Sequence, residues 1–396
     1  MKKQRIYLDY AATTPIDPKV LKVMTPYFQK EYGNPSSIHS FGQKGQIAID
    51  EARERVASFL NCSSSEIIFT GSATEANNLV IFGIVRSFQK IGMIPHIITT
   101  TIEHPAILEP FKKLQKEGIE TTYLPVDKEG IVKISQIQKA LKENTVLVSV
   151  MYANNEIGTI QPIKEIGEVI SRYKKQNPNS KILFHTDAVQ AINYLDCDVK
   201  KLEVDLLTLS AHKIYGPKGV GALFVKEGTK IEPIIYGGGQ ENNMRSGTEN
   251  VAGIVGLGAA IEEVKKEKPK IKQIIGLRDK IIKKIFKIIP EAKLNGSFEN
   301  RLPNNINFTL PGAEGEALVI ALDEEGIATS TGSACSSRGL EPSHVLLALG
   351  LSEEEAHCSL RITLGRFTKI KEINEVLKIL PRVIKKLRKI SGFSKI

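Results

Sequence analysis

The chain of 396 residues is 41% hydrophobic and 25% charged, and it carries a formal net charge of +10. This composition is ordinary for a globular protein, and the length allows two or three lobes around a large core. The positive excess is lysine spread along helical stretches, and no apolar run reaches membrane-spanning length, so neither nucleic acid nor a membrane is expected as a partner. The amino-terminal residues lead into a strand-like segment without a signal or transit pattern, which favours a cytoplasmic location.

In the first two thirds of the chain, strand-like and helical segments alternate, which is typical of a doubly wound α/β sheet. The strands are predicted at 66–70, 96–101, 120–124, 145–151, 181–186 and 204–209, with helical segments between most of them and a long helix before them at 42–60. After residue 250 the pattern changes. Two long amphipathic stretches, 251–289 and 370–390, flank strand signals at 305–310 and 360–364, and the second stretch is expected to be interrupted near Pro381.

The strand at 204–209 ends in a hydroxyl, an imidazole and a lysine, namely Ser210, His212 and Lys213. Open α/β sheets bind their ligands at the carboxyl ends of such strands. A desolvated lysine there can attack a carbonyl carbon as the neutral amine and form a Schiff base. A lone lysine at a strand exit is more often an ordinary surface residue, so this interpretation depends on partners elsewhere in the chain.

Such partners follow other predicted strands. Asp187 comes directly after the strand at 181–186, where a carboxylate can hold the N–H of a pyridinium ring, and Gln190 follows three residues later. The small residues at 71–74 begin a helix, whose free N–H groups can bind a phosphate. His104 can stack on a flat ring. Each signal alone is weak, since a strand-end aspartate is often a helix cap, but together they favour a phosphorylated aromatic cofactor.

The four cysteines are widely separated and include no CxxC pair. They are expected to be reduced thiols, with neither a disulfide framework nor a zinc site. Cys335 differs from the others because it lies in a run of Ser, Thr and Gly at about 329–342. That run predicts a mobile loop, so a buried, inert thiol is the weaker interpretation for Cys335.

Short motifs spread over nearly the whole chain carry a family resemblance. They are YLDYAATTP at 7–15, GNPSS at 33–37, TEANN at 74–78, EH at 103–104, NNEIG at 154–158, DAVQ at 187–190, SAHKIYGPKG at 210–219, MRSGT at 244–248, GSAC at 332–335 and LGRF at 364–367. In this order they resemble the cysteine desulfurases of the NifS/IscS type, class V aminotransferases that depend on pyridoxal 5'-phosphate. The resemblance implies the aspartate-aminotransferase fold (type I): a mostly parallel, doubly wound sheet in a large cofactor-binding domain at 16–260, and a smaller α+β domain from 1–15 and 261–396 that carries the cysteine loop.

The resemblance also implies the residues that hold the cofactor. Lys213 forms the Schiff base, Asp187 pairs with the ring nitrogen and Gln190 bonds the ring hydroxyl. The other implied contacts come from His104 stacked on the ring, from Asn155 beside it, from Ala73, Thr74, Ser210 and His212 around the phosphate, and from Thr248 of a partner subunit. The expected assembly is therefore a homodimer with composite active sites.

For the substrate, the resemblance implies that Arg361 clamps the carboxylate of L-cysteine, with Asn34 and Asn155 nearby. Lys213 removes the Cα proton, Cys335 takes the sulfur as a persulfide, and His104 serves as acid or base for the thiols. L-alanine is the second product. The sulfur then goes to an acceptor protein such as an iron–sulfur scaffold. No resident metal is expected, and Cys335 is a candidate for a transient iron–sulfur ligand.

Two other functions stay open at this point. A selenocysteine lyase or a related class V aminotransferase would keep the fold and Lys213, and an aminotransferase would leave Cys335 idle. A non-enzymatic sulfur carrier or nucleic-acid-binding scaffold would carry a dead site and be colourless. Full sulfur release by a Cys335→Ser variant would favour a rival, whereas the complete set of Lys213, Asp187 and Gln190 argues for the enzyme.

Overall fold

The computed structural model of the protein describes residues 5–332 and 341–392. Its strands are β1 (Ile6–Tyr7), β2 (Ile67–Thr70), β3 (His96–Thr100), β4 (Glu120–Leu124), β5 (Thr145–Ser149), β6 (Leu183–Asp187), β7 (Leu206–Ser210), β8 (Gly221–Val225), β9 (Lys293–Leu294), β10 (Asn305–Thr309), β11 (Ile327–Ala328) and β12 (Ser359–Thr363). Its α-helices are α1 (Pro18–Met24), α2 (Pro26–Gln29), α3 (Ser40–Leu60), α4 (Ala73–Gln89), α5 (Pro105–Lys116), α6 (Ile134–Ala140), α7 (Ile163–Gln176), α8 (Val199–Leu202), α9 (Val251–Glu267), α10 (Ile271–Ile288), α11 (Gly315–Glu324), α12 (His344–Ala348), α13 (Glu353–His357) and α14 (Ile370–Ile390). Within these ranges, none of the helices is both long enough and apolar enough to cross a lipid bilayer.

A seven-stranded sheet in the order β2-β8-β7-β6-β5-β3-β4 forms the larger unit. The five strands from β7 to β4 are parallel to one another, and β8 runs antiparallel to both of its neighbours. Successive residues of β7 serve opposite faces, since Leu207 packs into one apolar core and Leu206 into another. Because both faces of the sheet are covered, the sequences of the parallel strands are nearly continuous runs of apolar residues. This is the doubly wound, mostly parallel sheet that the sequence predicts.

A smaller unit is built around a three-stranded antiparallel sheet, β12-β10-β9, with β1 paired in parallel to β11. It has its own apolar core, to which residues of β1, β10, β12, α10, α11 and α14 contribute. The amino-terminal strand therefore packs with the carboxyl-terminal third of the chain, whereas α9 joins the core of the larger sheet. The predicted domain limits, at residues 15/16 and 260/261, stay predictions.

The helices of the last third differ from the prediction in two places. The stretch at 251–289 is divided into α9 and α10 by a 3-10 turn at Lys268–Lys270, which contains Pro269. The expected interruption near Pro381 is wrong, because α14 runs unbroken from Ile370 to Ile390. Proline removes one backbone hydrogen bond, but the stripe of α14 that includes Leu380 and Ile384 is buried in the smaller core and holds the helix in place.

Candidate active site

A cavity of about 310 Å³ opens at the carboxyl end of the parallel strands. It brings together most of the residues that the sequence singles out: Ala73, Thr74, His104, Asn155, Asp187, Gln190, Ser210, His212, Lys213 and Arg361. Asn34 and Thr248 are exposed and do not line it. Cys335 lies outside the described residues. Lys213 and Asp187 line one cavity although one follows β7 and the other ends β6, as the doubly wound topology requires.

Asp187 is the last residue of β6 and is held by two donors. The side-chain amide of Asn77 donates to its Oδ2 at 2.8 Å, and the backbone N–H of Val189 donates to its Oδ1 at 3.0 Å. Asn77 is fully buried on α4 and was missed by the sequence analysis. A signal was present, because Asn77 lies on the same helical stripe as Val80, Ile81 and Ile84 and is its polar member. The carboxylate is thus oriented by the sheet and by the adjacent helix.

Lys213 ends a 3-10 turn, Ala211–Lys213, that directly follows β7. Its Nζ donates to the backbone carbonyls of Ala11 and Ala12 at 2.6 and 2.7 Å. The side-chain amide of Gln190 donates to the same Ala11 carbonyl at 3.0 Å. The segment after β1 therefore reaches from the smaller unit into the site and supplies acceptors to both predicted cofactor residues.

The N-terminus of α4 forms one end of the cavity. Ser72 caps this helix by accepting the N–H of Glu75 at 3.1 Å, which leaves the first N–H groups, those of Ala73 and Thr74, without an acceptor in their own helix. Gly221 of β8 permits the close approach of this turn, because a Cβ at that position would lie 2.8 Å from the backbone carbon of Ser72. The helix dipole and free N–H groups suit an anion such as a phosphate.

His212 borders the same end of the cavity. Its Nδ1 lies 3.1 Å from the hydroxyl of Thr13. Burial, followed by the charges of Lys213 and Lys218, lowers the pKa of His212 to about 4. The ring is therefore neutral near pH 7 and can offer a hydrogen bond but no positive charge.

His104 caps α5, and this contact determines where its proton lies. The backbone N–H of Ala106 donates to Nδ1 of His104 at 3.1 Å, so the neutral ring carries its hydrogen on Nε2. Burial lowers the pKa of His104 and the positive charge of Lys213 lowers it further, against the opposing effect of Asp187. Protonation of Nδ1 would break the cap. In this arrangement His104 presents a neutral ring to the cavity.

Glu103 also lines the cavity and is completely buried. Its Oε1 accepts from the hydroxyl of Thr100 at 2.8 Å and from the backbone N–H of Met151 at 2.9 Å. Among the described residues, Oε2 has no hydrogen-bond partner. Burial, with a smaller contribution from the charge of Asp187, raises the pKa of Glu103 to about 8. This carboxyl is mostly protonated near pH 7, so it adds little negative charge beside Asp187.

Arg361 belongs to β12 and also lines the cavity, and its side chain is only 2% exposed. Its Nη2 donates to Oδ1 of Asp9 at 2.8 Å. Its Nη1 donates to the carbonyls of Asn155 and Gly332 at 3.0 and 3.2 Å. Its Nε has no hydrogen-bond partner in the described part of the chain. Three of the five N–H donors of the guanidinium are therefore engaged, and the Nε donor is among those still available.

Asn155 is held by a turn that its neighbour organises. Oδ1 of Asn154 accepts the backbone N–H groups of Glu156 and Ile157 at 2.8 and 3.0 Å, and its amide donates to the carbonyl of Ile102 at 2.9 Å. Asn154 is completely buried. The turn thereby places the carbonyl of Asn155 against Arg361 and its side chain beside the cavity.

The donor set suits a flat heterocycle with a phosphate. The cavity is lined by a carboxylate for a ring N–H, by free helix N–H groups and by a lysine amine. Within 5–332 and 341–392, no group of three or more His, Cys, Asp or Glu side chains is arranged to hold a metal ion.

Comparisons with known proteins agree with this geometry. The model of the aminotransferase class-V family matches residues 6–376. The protein "Cysteine desulfurase IscS" of Dictyoglomus turgidum is 51% identical over 395 residues, which cover 99% of this chain and 97% of that protein. "Cysteine desulfurase IscS 1" of Archaeoglobus fulgidus is 47% identical over 386 residues, covering 97% of this chain and 98% of that protein.

Two solved structures are also similar. A structure named "NIFS-LIKE PROTEIN" has 38% sequence identity and a TM-score of 0.87, covering 99% of this chain and 100% of that one. A structure described as "SspA in complex with cysteine" has 37% identity and a TM-score of 0.79, covering 92% and 100%. These likenesses confirm the predicted fold. The chain belongs to the class V aminotransferase family and, within it, to the cysteine desulfurases of the NifS/IscS type.

Proposed function

We propose that this cysteine desulfurase binds pyridoxal 5'-phosphate and L-cysteine in the cavity between Lys213 and Arg361. The observation that carries the proposal is the convergence of Lys213, Asp187, the N-terminus of α4 and Arg361 on one cavity. The family is generally dependent on this cofactor, and the cavity offers a matching group for its aldehyde, its ring nitrogen and its phosphate. When bound, the cofactor supplies an aldehyde that joins to amines and a ring that takes up the electron pair of a broken bond.

We call the part of the cavity formed by Lys213, Asp187, His104 and the N-terminus of α4 the cofactor wall. Its residues have separate tasks in this proposal. Lys213 holds the aldehyde through Nζ, and Asp187 accepts the ring N–H and keeps the ring protonated. The N–H groups of Ala73 and Thr74 bind the phosphate, together with the side chains of Ser210 and His212. His104 covers one ring face as a neutral imidazole, since its Nδ1 is engaged by the backbone of α5.

Another set of residues that line the cavity orients the substrate in this proposal. The free edge of the Arg361 guanidinium, at Nε, binds the carboxylate of L-cysteine, and Asn155 lies beside it. With its orientation fixed, the substrate presents its Cα–H to Lys213, whose Nζ accepts that proton as the free amine. Burial favours the neutral forms of Glu103 and His104, so neither side chain adds a full charge beside the reacting centre.

The sulfur step falls to Cys335. Its thiolate attacks the sulfur of the substrate, the Cβ–S bond breaks, and Cys335 becomes a persulfide. The Cβ gains a proton in place of sulfur, so the products are L-alanine and one sulfur atom on the chain. Gly332, three positions earlier, lines the cavity, and its carbonyl accepts a hydrogen bond from Nη1 of Arg361, which supports a role for the following segment at this site.

Mass spectrometry of the intact chain after incubation with L-cysteine tests this assignment. The natural protein should gain one sulfur atom per chain, and a Cys335→Ala variant should gain none. A Cys358→Ala variant is the matched control, because Cys358 is only partly exposed and burial raises its pKa. Undiminished sulfur uptake by Cys335→Ala would refute the role of Cys335 and assign the sulfur to another thiol of the chain.

A homodimer with shared sites is supported by the surface of α2 and α3. This region exposes a series of large apolar side chains, namely Phe28, Tyr32, Ile38, Phe41 and Ile47, and a patch of this kind is typical of an interface. Asn34 lies in the same region and Thr248 is also exposed, so both are accessible to a second copy. The native mass should equal two chains, and Phe41→Asp should shift it toward one. An unshifted mass would place the interface elsewhere.

The persulfide sulfur passes to an acceptor protein, for which we propose an iron–sulfur scaffold. Delivery of labelled sulfur from the loaded natural chain to a purified scaffold, with none from Cys335→Ala, is the expected result. The prediction that Cys335 is a transient iron–sulfur ligand is tested in the same mixture by the absorbance of the cluster. Sulfur that remains on the chain would exclude the scaffold used.

A further inference from the structure

We propose that Asp9 is a positioning residue that sets both the direction and the effective charge of Arg361, and so determines how strongly the site holds a substrate carboxylate. The inference rests on the proposed role of Arg361 and deepens it. Asp9 does not line the cavity, so it would act through Arg361 and not by touching the substrate.

The contact between the two side chains is close and largely shielded from solvent. Oδ1 of Asp9 lies 2.8 Å from Nη2 of Arg361, and the side chains are 18% and 2% exposed. The other two acceptors of this guanidinium are the neutral carbonyls of Asn155 and Gly332. Within the described ranges, Asp9 is therefore the one anion in direct contact with Arg361. A buried guanidinium without such a partner is strongly destabilising, which explains the pairing.

The backbone fixes Asp9 beside β12. The N–H of Thr363 donates to the carbonyl of Leu8 at 2.8 Å, and the hydroxyl of Thr363 accepts the N–H of Ala11 at 2.9 Å. The hydroxyl of Tyr7 donates to the carbonyl of Asp9 at 3.0 Å. Burial, followed by the charge of Asp9, raises the pKa of Tyr7 to about 12, so this hydroxyl stays a donor. Backbone contacts before and after Asp9, at Leu8 and Ala11, therefore keep its side chain beside Arg361.

The same segment reaches Lys213. The carbonyls of Ala11 and Ala12, two and three residues after Asp9, accept from its Nζ. One short stretch of backbone therefore contacts both the residue proposed to hold the substrate carboxylate and the residue proposed to remove the Cα proton. A shift of Asp9 would alter the distance between these two groups.

The negative charge of Asp9 affects substrate binding separately from its hydrogen bond to Arg361. A substrate carboxylate and Asp9 compete for one positive charge, so Asp9 weakens substrate binding while it orients Arg361. Asparagine keeps an oxygen acceptor at the position of Oδ1 but removes the negative charge. Alanine removes both. The two substitutions should therefore move substrate affinity in opposite directions, which a merely structural role would not produce.

The test compares Asp9→Asn and Asp9→Ala with the natural holoenzyme. For Asp9→Asn, KM for L-cysteine should fall about threefold to tenfold, with kcat within about threefold, as expected for an interaction in the bound state and not in the chemical step. For Asp9→Ala, KM should rise by about tenfold, because the guanidinium loses its direction. Cofactor absorbance and Tm verify that each variant is folded and loaded.

A pair of competitive inhibitors isolates the carboxylate. L-alanine carries it and L-alaninamide does not, although the two have the same size. Asp9→Asn should lower the inhibition constant of L-alanine about threefold to tenfold and that of L-alaninamide by less than about twofold. Equal shifts for both inhibitors, or a rise in KM for Asp9→Asn as large as that for Asp9→Ala, would overturn the proposal.

Arg361→Gln separates this inference from the proposed function beneath it. If Arg361 binds the carboxylate, the glutamine variant should lose discrimination between L-alanine and L-alaninamide. Retained discrimination would refute the carboxylate role of Arg361, and the inference about Asp9 with it. Lost discrimination in Arg361→Gln with unchanged constants in Asp9→Asn would refute the inference alone.

Discussion

The two walls of the cavity are built in different ways. The cofactor wall consists of strand ends and a helix start in a single sheet layer, where Asp187 ends β6 and Lys213 follows β7 in adjacent parallel positions. The substrate wall is assembled from separate parts: β12, the segment after β1, and the turn that contains Asn155. Asp9 and Arg361 are 352 positions apart in the chain. The cofactor wall therefore depends on a regular architecture, and the substrate wall depends on a few long-range contacts.

This difference predicts different kinetic signatures. Changes in the cofactor wall should act on kcat and on cofactor binding, because they alter the reacting groups and their supports. Changes in the substrate wall should act mainly on KM, because they alter how the amino acid is held. Substitutions that violated this division would show that the two walls act as one unit.

Lys213→Ala should have the largest effect. Loss of a positioned proton acceptor costs about 10²- to 10⁴-fold in rate, and loss of the covalent anchor adds to it, so alanine formation should fall at least about 10³-fold. The natural protein should be yellow and should bleach with borohydride, and the purified variant should lack this colour. Lys139→Ala, at an exposed position of α6, is the control and should match the natural rate. A Lys213→Ala variant with near-natural turnover would remove the basis of the cofactor wall.

Asn77→Ala tests whether the support of Asp187 matters as much as Asp187 itself. A hydrogen bond to a charged group contributes about 1.5–3 kcal/mol, so its loss should lower kcat about tenfold to hundredfold while KM changes little. Asn78→Ala is the matched control, since Asn78 is a partly exposed neighbour on the same helix whose amide donates to the carbonyl of Thr74 at 2.8 Å. Equal kinetics in both variants would show that the sheet alone orients Asp187.

The strand ends that carry Asp187 and Lys213 were located from the sequence because their signals are local. The strand at 204–209 proved to be β7, displaced by one or two residues, and Lys213 follows it directly. Hydrophobic runs, turn residues and motif spacing are sufficient for such an arrangement. The partner of Arg361 was not predicted, because nothing in the spacing of residues 9 and 361 indicates a contact that only tertiary packing creates. The prediction of a break at Pro381 failed for a related reason. Proline interrupts helices locally, but tertiary burial of α14, which the sequence pattern does not show, outweighs that preference.

Asn154→Ala should have a moderate effect on the substrate wall. It leaves the N–H groups of Glu156 and Ile157 without their acceptor, so the turn should loosen at a cost of about 1–3 kcal/mol in unfolding free energy. KM for L-cysteine should rise about threefold to tenfold with a smaller change in kcat. Asn177→Ala, at an exposed position after α7, provides the control. A drop confined to kcat would mean that the turn serves the cofactor wall instead.

Glu103→Gln should change turnover least near neutral pH, because glutamine resembles the protonated carboxyl that the cavity contains. Its effect should appear in stability.

Burial raises the pKa of Glu103 from 4.5 to about 8, so between these values the unfolded chain loses a proton that the folded chain keeps. The folded state of the natural protein is thus destabilised by about 1.4 kcal/mol per pH unit as the pH rises through this window, and the slope ends above the folded pKa. Glu103→Gln removes that contribution. In denaturant unfolding, the free energy of unfolding of the variant should therefore exceed that of the natural protein by an amount that grows from about pH 5 to pH 8. Glu109→Gln, which replaces an exposed carboxylate on α5, is the control. Its free energy of unfolding should change with pH in the same way as that of the natural protein. Parallel curves for Glu103→Gln as well would mean that Glu103 is ionised in the folded protein, and that the cofactor wall then faces a second negative charge beside Asp187.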